Sequence, residues 1–100
     1  MVRKVILSDR SIADLKAICD RVAEDNPVAA RKLGRDLFKA TARLGDFPKS
    51  GRFYTRLGKR DLFELICRGY RIFYVIDGNS DPVEIRHIRH GARGEPAFAE

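Results

Sequence analysis

The sequence contains no tryptophan, one methionine, four prolines and only two cysteines among 100 residues. Two cysteines, Cys19 and Cys67, cannot build the disulfide framework that stabilises many small secreted domains. Each stands where an apolar residue would suit its neighbours, so both are expected to act as small buried hydrophobes. There are two histidines, and no cluster of Cys, His, Asp and Glu at ligand spacing, which leaves no zinc site. Glycine-rich phosphate loops, a Ser-His-Asp arrangement and HExxH are all missing, so no metal and no cofactor are expected. No apolar run reaches the roughly 18 residues of a membrane span, and the N-terminus lacks an apolar signal core. These absences point to a cytoplasmic protein that engages no membrane.

Acidic residues are also few: 14 against 20 Lys and Arg, for a net charge of +6. The imbalance is local. From Lys49 to Arg71 run seven basic side chains (Lys49, Arg52, Arg56, Lys59, Arg60, Arg68, Arg71) against two acids, Asp61 and Glu64. Such a block can hold phosphates or an acidic partner, and its Arg content suits bidentate grip on anions. The plainer alternative is a solvated surface that keeps the protein soluble. A hydrophobic share of 44% supports a single folded domain over residues 1–100. A chain of this length buries roughly 60–70% of its unfolded surface, which leaves little volume for a deep metabolite cavity. Gripping other macromolecules is the expected mode of action.

Hydrophobic periodicity orders the chain. Val2 to Leu7 reads as a short strand at a sheet edge or close to a helix. Asp9 or Ser11 is expected to cap a helix to about Glu24, with Ile12, Leu15, Ile18, Cys19 and Val22 on its apolar stripe and Asp14, Lys16, Asp20 and Arg21 outward. Asn26-Pro27 restarts a second helix, carrying Ala30, Leu33, Leu37, Ala40 and Leu44 and ending near Gly45. The short link predicts an antiparallel helical hairpin, with Gly34 permitting close approach. Residues 49–61 read as an irregular basic loop. Three strands follow over 62–67, 70–76 and 83–90, joined by turns at Arg68-Gly69 and at 77–82 that force antiparallel pairing. Ile85 and Ile88, three apart, predict a bulge. The expected fold is α+β, in the order β-α-α-β-β-β, with a helical hairpin covering one face of a small antiparallel sheet.

Chemistry-bearing residues gather on the strands. Glu64, Arg71 and His90 could converge on one surface, with Arg86, His87, Arg89 and Arg93 nearby. Such a set could cleave RNA without a metal: Glu64 as base for the 2′-hydroxyl, His90 as acid for the leaving oxygen, Arg71 steadying the phosphate. The alternative is strand side chains that simply face water. His87, between Ile85 and Ile88, is expected to be half-buried. Phe53 and Tyr54 are the best surface candidates for stacking bases, although such aromatics more often fill a core.

The chain resembles the ParE/RelE superfamily of toxins from bacterial type II toxin-antitoxin pairs. The likeness runs from about Val5 to Arg93: Asp14-Leu15-x-x-Ile18, Ala23-Glu24-Asp25-Asn26-Pro27, Ala29-Ala30, Leu44-x-x-Phe47-Pro48-x-x-Gly51-Arg52, Arg71-Ile72-Phe73-Tyr74, and Val83-Glu84-Ile85-x-x-Ile88-x-His90-Gly91-Ala92-Arg93. The resemblance implies the fold above and a ParD-like antitoxin whose C-terminal segment wraps the toxin within a higher-order complex. It implies antitoxin grips at Leu15, Ile18, Leu33, Leu37 and Arg71, and target contacts at Arg86, Arg89, His90 and Arg93. The His90-Gly91-Ala92-Arg93 ending looks like that of the ParE branch, which poisons DNA gyrase and is linked to growth arrest and plasmid stabilization. Several ribosome-dependent nucleases of the superfamily have a tyrosine after the position of His90. A RelE-like mRNA endoribonuclease using Glu64, Arg71 and His90 is the alternative, and an inactive basic binding module is a third reading.

Overall fold

The computed structural model describes residues 2–76, 78 and 82–91. Arg93 and the tail from 92, with most of the turn at 77–81, lie outside the described residues. The elements are β1 (Val5–Leu7), α1 (Asp9–Asp25), α2 (Pro27–Arg43), β2 (Arg52–Leu57), β3 (Arg60–Cys67), β4 (Tyr70–Ile76) and β5 (Val83–His90). The five strands form one sheet in the order β1-β5-β4-β3-β2, with the helical hairpin on one face. The α+β architecture and the hairpin expected from the sequence are both present.

Two features of the sheet differ from the expectation. The sheet is mixed, because β1 pairs with β5 in parallel, Val5 opposite Val83 and Leu7 opposite Ile85. Sequence spacing alone could not show that the long excursion through the helices and meander returns the chain alongside its first strand. In addition, the basic stretch is not an irregular loop. Phe53, Tyr54 and Thr55 favour extended backbone, and Gly51 and Gly58 bound a strand between them. The pairing steps from Phe53 opposite Phe63 to Thr55 opposite Leu62, so Tyr54 is an extra residue that breaks the alternation a strand would have announced. The bulge foreseen in β5 is present: Phe73 pairs with His87 and Tyr74 with Ile85, leaving Arg86 as the extra residue.

Ser8, rather than Asp9 or Ser11, caps α1. Its hydroxyl accepts from the Ser11 N–H at 3.1 Å, and the Ser11 hydroxyl donates back to the Ser8 carbonyl at 2.9 Å. This reciprocal pair takes up helix-end groups that would otherwise lack partners. Asn26 ends α1 and caps α2, accepting from the Ala29 N–H at 3.0 Å, with Pro27 in the first helical turn. The helices pack so closely at Gly34 that a Cβ there would stand 2.9 Å from the Cys19 sulfur. Ile12, expected on the apolar stripe, is 53% exposed; Leu15, Ile18 and Val22 are the apolar residues of α1 that pack on the core.

Leu33, Leu37 and Leu44 from α2 pack against Ile72, Tyr74, Val83, Ile85 and Ile88. A smaller cluster of Leu62, Phe73 and Val75, flanked by Tyr54 and Leu57, lies on the other face. The middle of β4, Ile72 through Val75, is therefore buried on both sides. The Tyr74 hydroxyl accepts from the Gly51 N–H at 3.0 Å and ties the start of β2 to the core. Tyr74→Phe removes that acceptor while keeping the ring. We expect a loss of about 1 kcal/mol, read as a lower urea midpoint with unchanged slope.

Candidate functional site

Side chains alternate between faces along a strand. On β4 this sends Arg71, Phe73 and Val75 to the open face and Tyr70, Ile72 and Tyr74 toward the helices. Glu64 on β3 sits opposite Phe73 of β4 and Arg52 of β2, also on the open face. Its side chain is 1% exposed and its carboxylate is fully engaged: one oxygen accepts from Arg71 Nε, the other from Arg52 Nε at 3.0 Å. Arg71 is buried as well, its guanidinium carbon 5.0 Å from the centre of the Phe73 ring and 5.7 Å from that of Tyr54. Burial by itself would raise the Glu64 carboxyl, but the guanidinium groups of Arg71 and then Arg52 outweigh it and hold it below its ordinary value. A carboxylate stabilised in its charged form and shut away from water is a poor general base.

His90 lies elsewhere. It sits opposite Tyr70, their rings 5.2 Å apart and edge to face, and Tyr70 packs on the helix-side core. The structure brings Glu64 and Arg71 together and leaves His90 on the opposite side of the sheet, so the expected triad does not converge. Hairpin spacing put the three on neighbouring strands; the parity of the β4–β5 register separated them. Of the expected target contacts, Arg86 is the bulge residue, bonded to Glu84 at 3.1 Å. Arg89 sits opposite Arg71 in the register. Arg93 is outside the described residues.

The expected antitoxin grips also need correcting. Leu37 is 0% and Leu33 6% exposed, Leu15 and Ile18 pack on the same core, and Arg71 is committed to Glu64. Leu33 and Leu37 are held inside and form no docking surface. The exposed apolar side chains are others, among them Phe38, Phe47 and Ile66. Phe47 and Ile66 flank an open groove of about 770 Å³ that also includes Arg43, Pro48 and Leu65. Sequence reasoning missed Phe47 because it follows the end of α2, and Ile66 because β3 is apolar on both faces. Phe53 is exposed as expected, whereas Tyr54 is half-buried beneath Arg71.

The outer edge of β5 holds another unforeseen arrangement. β1 covers only its first residues. Beyond them the Ser8 N–H and hydroxyl donate to the carbonyls of Ile85 and Arg86 at 3.0 and 3.2 Å. Further on, Asp14 Oδ2 accepts from the Ile88 N–H at 3.0 Å and from His87 Nδ1 at 2.6 Å. Asp14 was expected to face outward; instead it stands in for a missing strand. Its other oxygen accepts from Arg10 at 3.0 Å. His87 is buried, and desolvation lowers its pKa despite the opposing pull of Asp14. Beside this contact lies a cleft of about 240 Å³ between α1 and the uncovered part of β5, lined in part by Arg10, Arg21, Tyr70, Arg89 and His90. Among the described residues, no group of three or more His, Cys, Asp and Glu is placed to hold a metal ion, and no helix is long and apolar enough to cross a membrane.

A family model described as the ParE toxin of the type II toxin-antitoxin system, parDE, matches residues 5–94. Toxin RelE2 of Caulobacter vibrioides is 36% identical over 91 residues, covering 90% of this chain and 97% of that protein. A solved chain of the chromosomal ParDE TA system from P. aeruginosa superposes with a TM-score of 0.69 at 19% identity, covering 89% of this chain and 96% of that one. At that identity the structural likeness bears on the fold alone.

Glu64→Gln keeps the shape of the side chain but leaves Arg71 buried beside a neutral amide. Breaking a buried pair in this way costs roughly 3–5 kcal/mol, which urea unfolding will register. Because the folded-state value of Glu64 lies below its ordinary 4.5, its stabilisation is present above that pH and is lost as pH falls through the lowered value. Stability of the Gln variant should vary less over that range. His87 works in a higher window. Its folded pKa lies below 6.5, so the unfolded chain takes up the proton first and stability declines as pH drops from 6.5 toward the folded value. Asp14→Asn removes the carboxylate that opposes this shift, and the His87 ring should then titrate at still lower pH in a side-chain NMR titration.

Proposed function

The chain belongs to the ParE toxin family of type II toxin-antitoxin systems, and on that premise we propose that it arrests growth by inhibiting DNA gyrase and is neutralised by a ParD-like antitoxin. The observation that carries the gyrase reading is the division of the nuclease set: Glu64 is sealed between Arg71 and Arg52, and His90 faces the other side of the sheet. RNA cleavage by acid and base needs both groups at one phosphate. Poisoning a protein target needs only a surface, and Gly91 stands where several superfamily nucleases have tyrosine. In this reading the protein is an inhibitor rather than an enzyme, and works in the cytoplasm.

A toxin of this family has an antitoxin partner. We place its grip on exposed apolar side chains such as Phe47 and Ile66, where a disordered C-terminal arm can fold on binding and bury apolar surface. We further propose that toxin and antitoxin assemble into a higher-order complex.

The relative named Toxin RelE2 and the basic open face favour a second reading, a RelE-like ribosome-dependent nuclease. Gyrase assays with purified protein separate the two. We expect loss of supercoiling at stoichiometric excess, and growth arrest in cells while translation continues. A His90→Ala variant should remain toxic. Untouched gyrase together with mRNA cut on translating ribosomes overturns the gyrase reading.

A further inference from the structure

The cleft between α1 and the uncovered edge of β5 holds more positive charge than the fold consumes. Because it follows a strand edge, it gathers side chains from both faces of the sheet: Ile88 and His90 from the helix side, His87 and Arg89 from the other. Among the described residues Asp14 is the one carboxylate lining it, and that group is already committed to the Ile88 N–H, to His87 and to Arg10. Arg21 lines the cleft from the exposed side of α1. Arg89 lines it too, and its Nε is buried without a hydrogen-bond partner among the described residues. A guanidinium N–H hidden from water and left unmet is costly, and an acceptor brought from outside relieves that cost. Two guanidinium groups with no acidic partner among the described residues, on opposite walls of a small cleft, suit an anion with several acceptor oxygens. Tyr70 and exposed His90 set an aromatic wall beside them.

We propose that this cleft binds a backbone phosphate of a nucleic acid, with Arg21 and Arg89 as its cationic contacts and the Tyr70–His90 pair against the adjoining nucleotide. The site stands whichever target is correct, since gyrase works on DNA and the ribosome is built largely of RNA. A phosphate is favoured over a carboxylate because the cleft already accommodates one carboxylate, Asp14, with these two arginines left over.

The test uses the whole purified protein. Short mixed-sequence single-stranded DNA and RNA, inorganic phosphate and poly-glutamate are titrated in separately, with the His87 and His90 ring signals followed by NMR and affinity measured at several salt concentrations. We expect the oligonucleotides to move both ring signals, and inorganic phosphate to move them at higher concentration. Arg21→Gln, on an exposed helix position that leaves the core intact, should weaken oligonucleotide binding roughly tenfold or more. It should also reduce the salt slope by about the share of one phosphate contact. Arg89→Gln should do the same. Arg56→Gln, on β2 at the far edge of the sheet and paired with Asp61, should change affinity by less than about twofold. Equal weakening by all three substitutions would mean diffuse attraction and overturns the site, as does an absence of oligonucleotide binding. Tighter binding of poly-glutamate with the same ring shifts assigns the cleft to an acidic protein segment, and also overturns the proposal.

Discussion

The open face of the sheet depends on a carboxylate removed from water. Glu64 carries one guanidinium on each side, Arg52 from β2 and Arg71 from β4, so a single side chain ties three adjacent strands across their hydrogen-bonding direction. An isolated buried charge is very unfavourable, and only a register that brings both arginines to it makes the burial tolerable. Slipping β3 by one residue would move Glu64 into the leucine core on the other face. The pair therefore selects one register against its neighbours, a use of buried charge that is better supported than any large net gain in stability. It also pairs with each other the two groups that the sequence most readily suggests as catalytic.

Much of the fold was legible because its signals are local. The Asn26-Pro27 restart, the three-and-four spacing of Leu33, Leu37, Ala40 and Leu44, and the turn at Arg68-Gly69 each depend on a few neighbouring residues. The spacing of Ile85 and Ile88 gave the β5 bulge for the same reason. β2 was hidden because its bulge at Tyr54 disrupts the two-residue period and its charges resemble those of a loop. The parallel pairing of β1 was hidden because it is a relation between residues about 78 apart in the chain. The site was harder to read than the fold. Whether Glu64, Arg71 and His90 meet depends on strand parity, which one bulge residue can reverse. Asp14 looked like an outward helix residue, since nothing in its neighbourhood announces that β5 outruns β1.

The two ends of the sheet are finished differently, and the difference separates two kinds of surface. At the β5 edge, Ser8 and Asp14 satisfy the backbone where β1 stops, and the result is a polar, cationic cleft. At the other edge, beyond β2, the chain leaves Phe47 and Ile66 exposed beside an apolar groove. Unpaired strand edges invite other chains. One edge of this protein answers with side chains of its own; the other leaves apolar side chains exposed. On the proposed reading, antitoxin binding and nucleic-acid binding would fall on opposite rims of one small sheet.

Gly91 closes the last strand by donating to the Gly69 carbonyl at 2.8 Å, and a Cβ at position 91 would stand 2.7 Å from that same oxygen. No side chain enters there until the β3–β4 turn moves. In evolutionary terms, a side chain gained after His90 requires the backbone to shift elsewhere. The turn at 68–69 has to change first, or with it. Two separate stretches of sequence are thereby coupled through one close backbone approach.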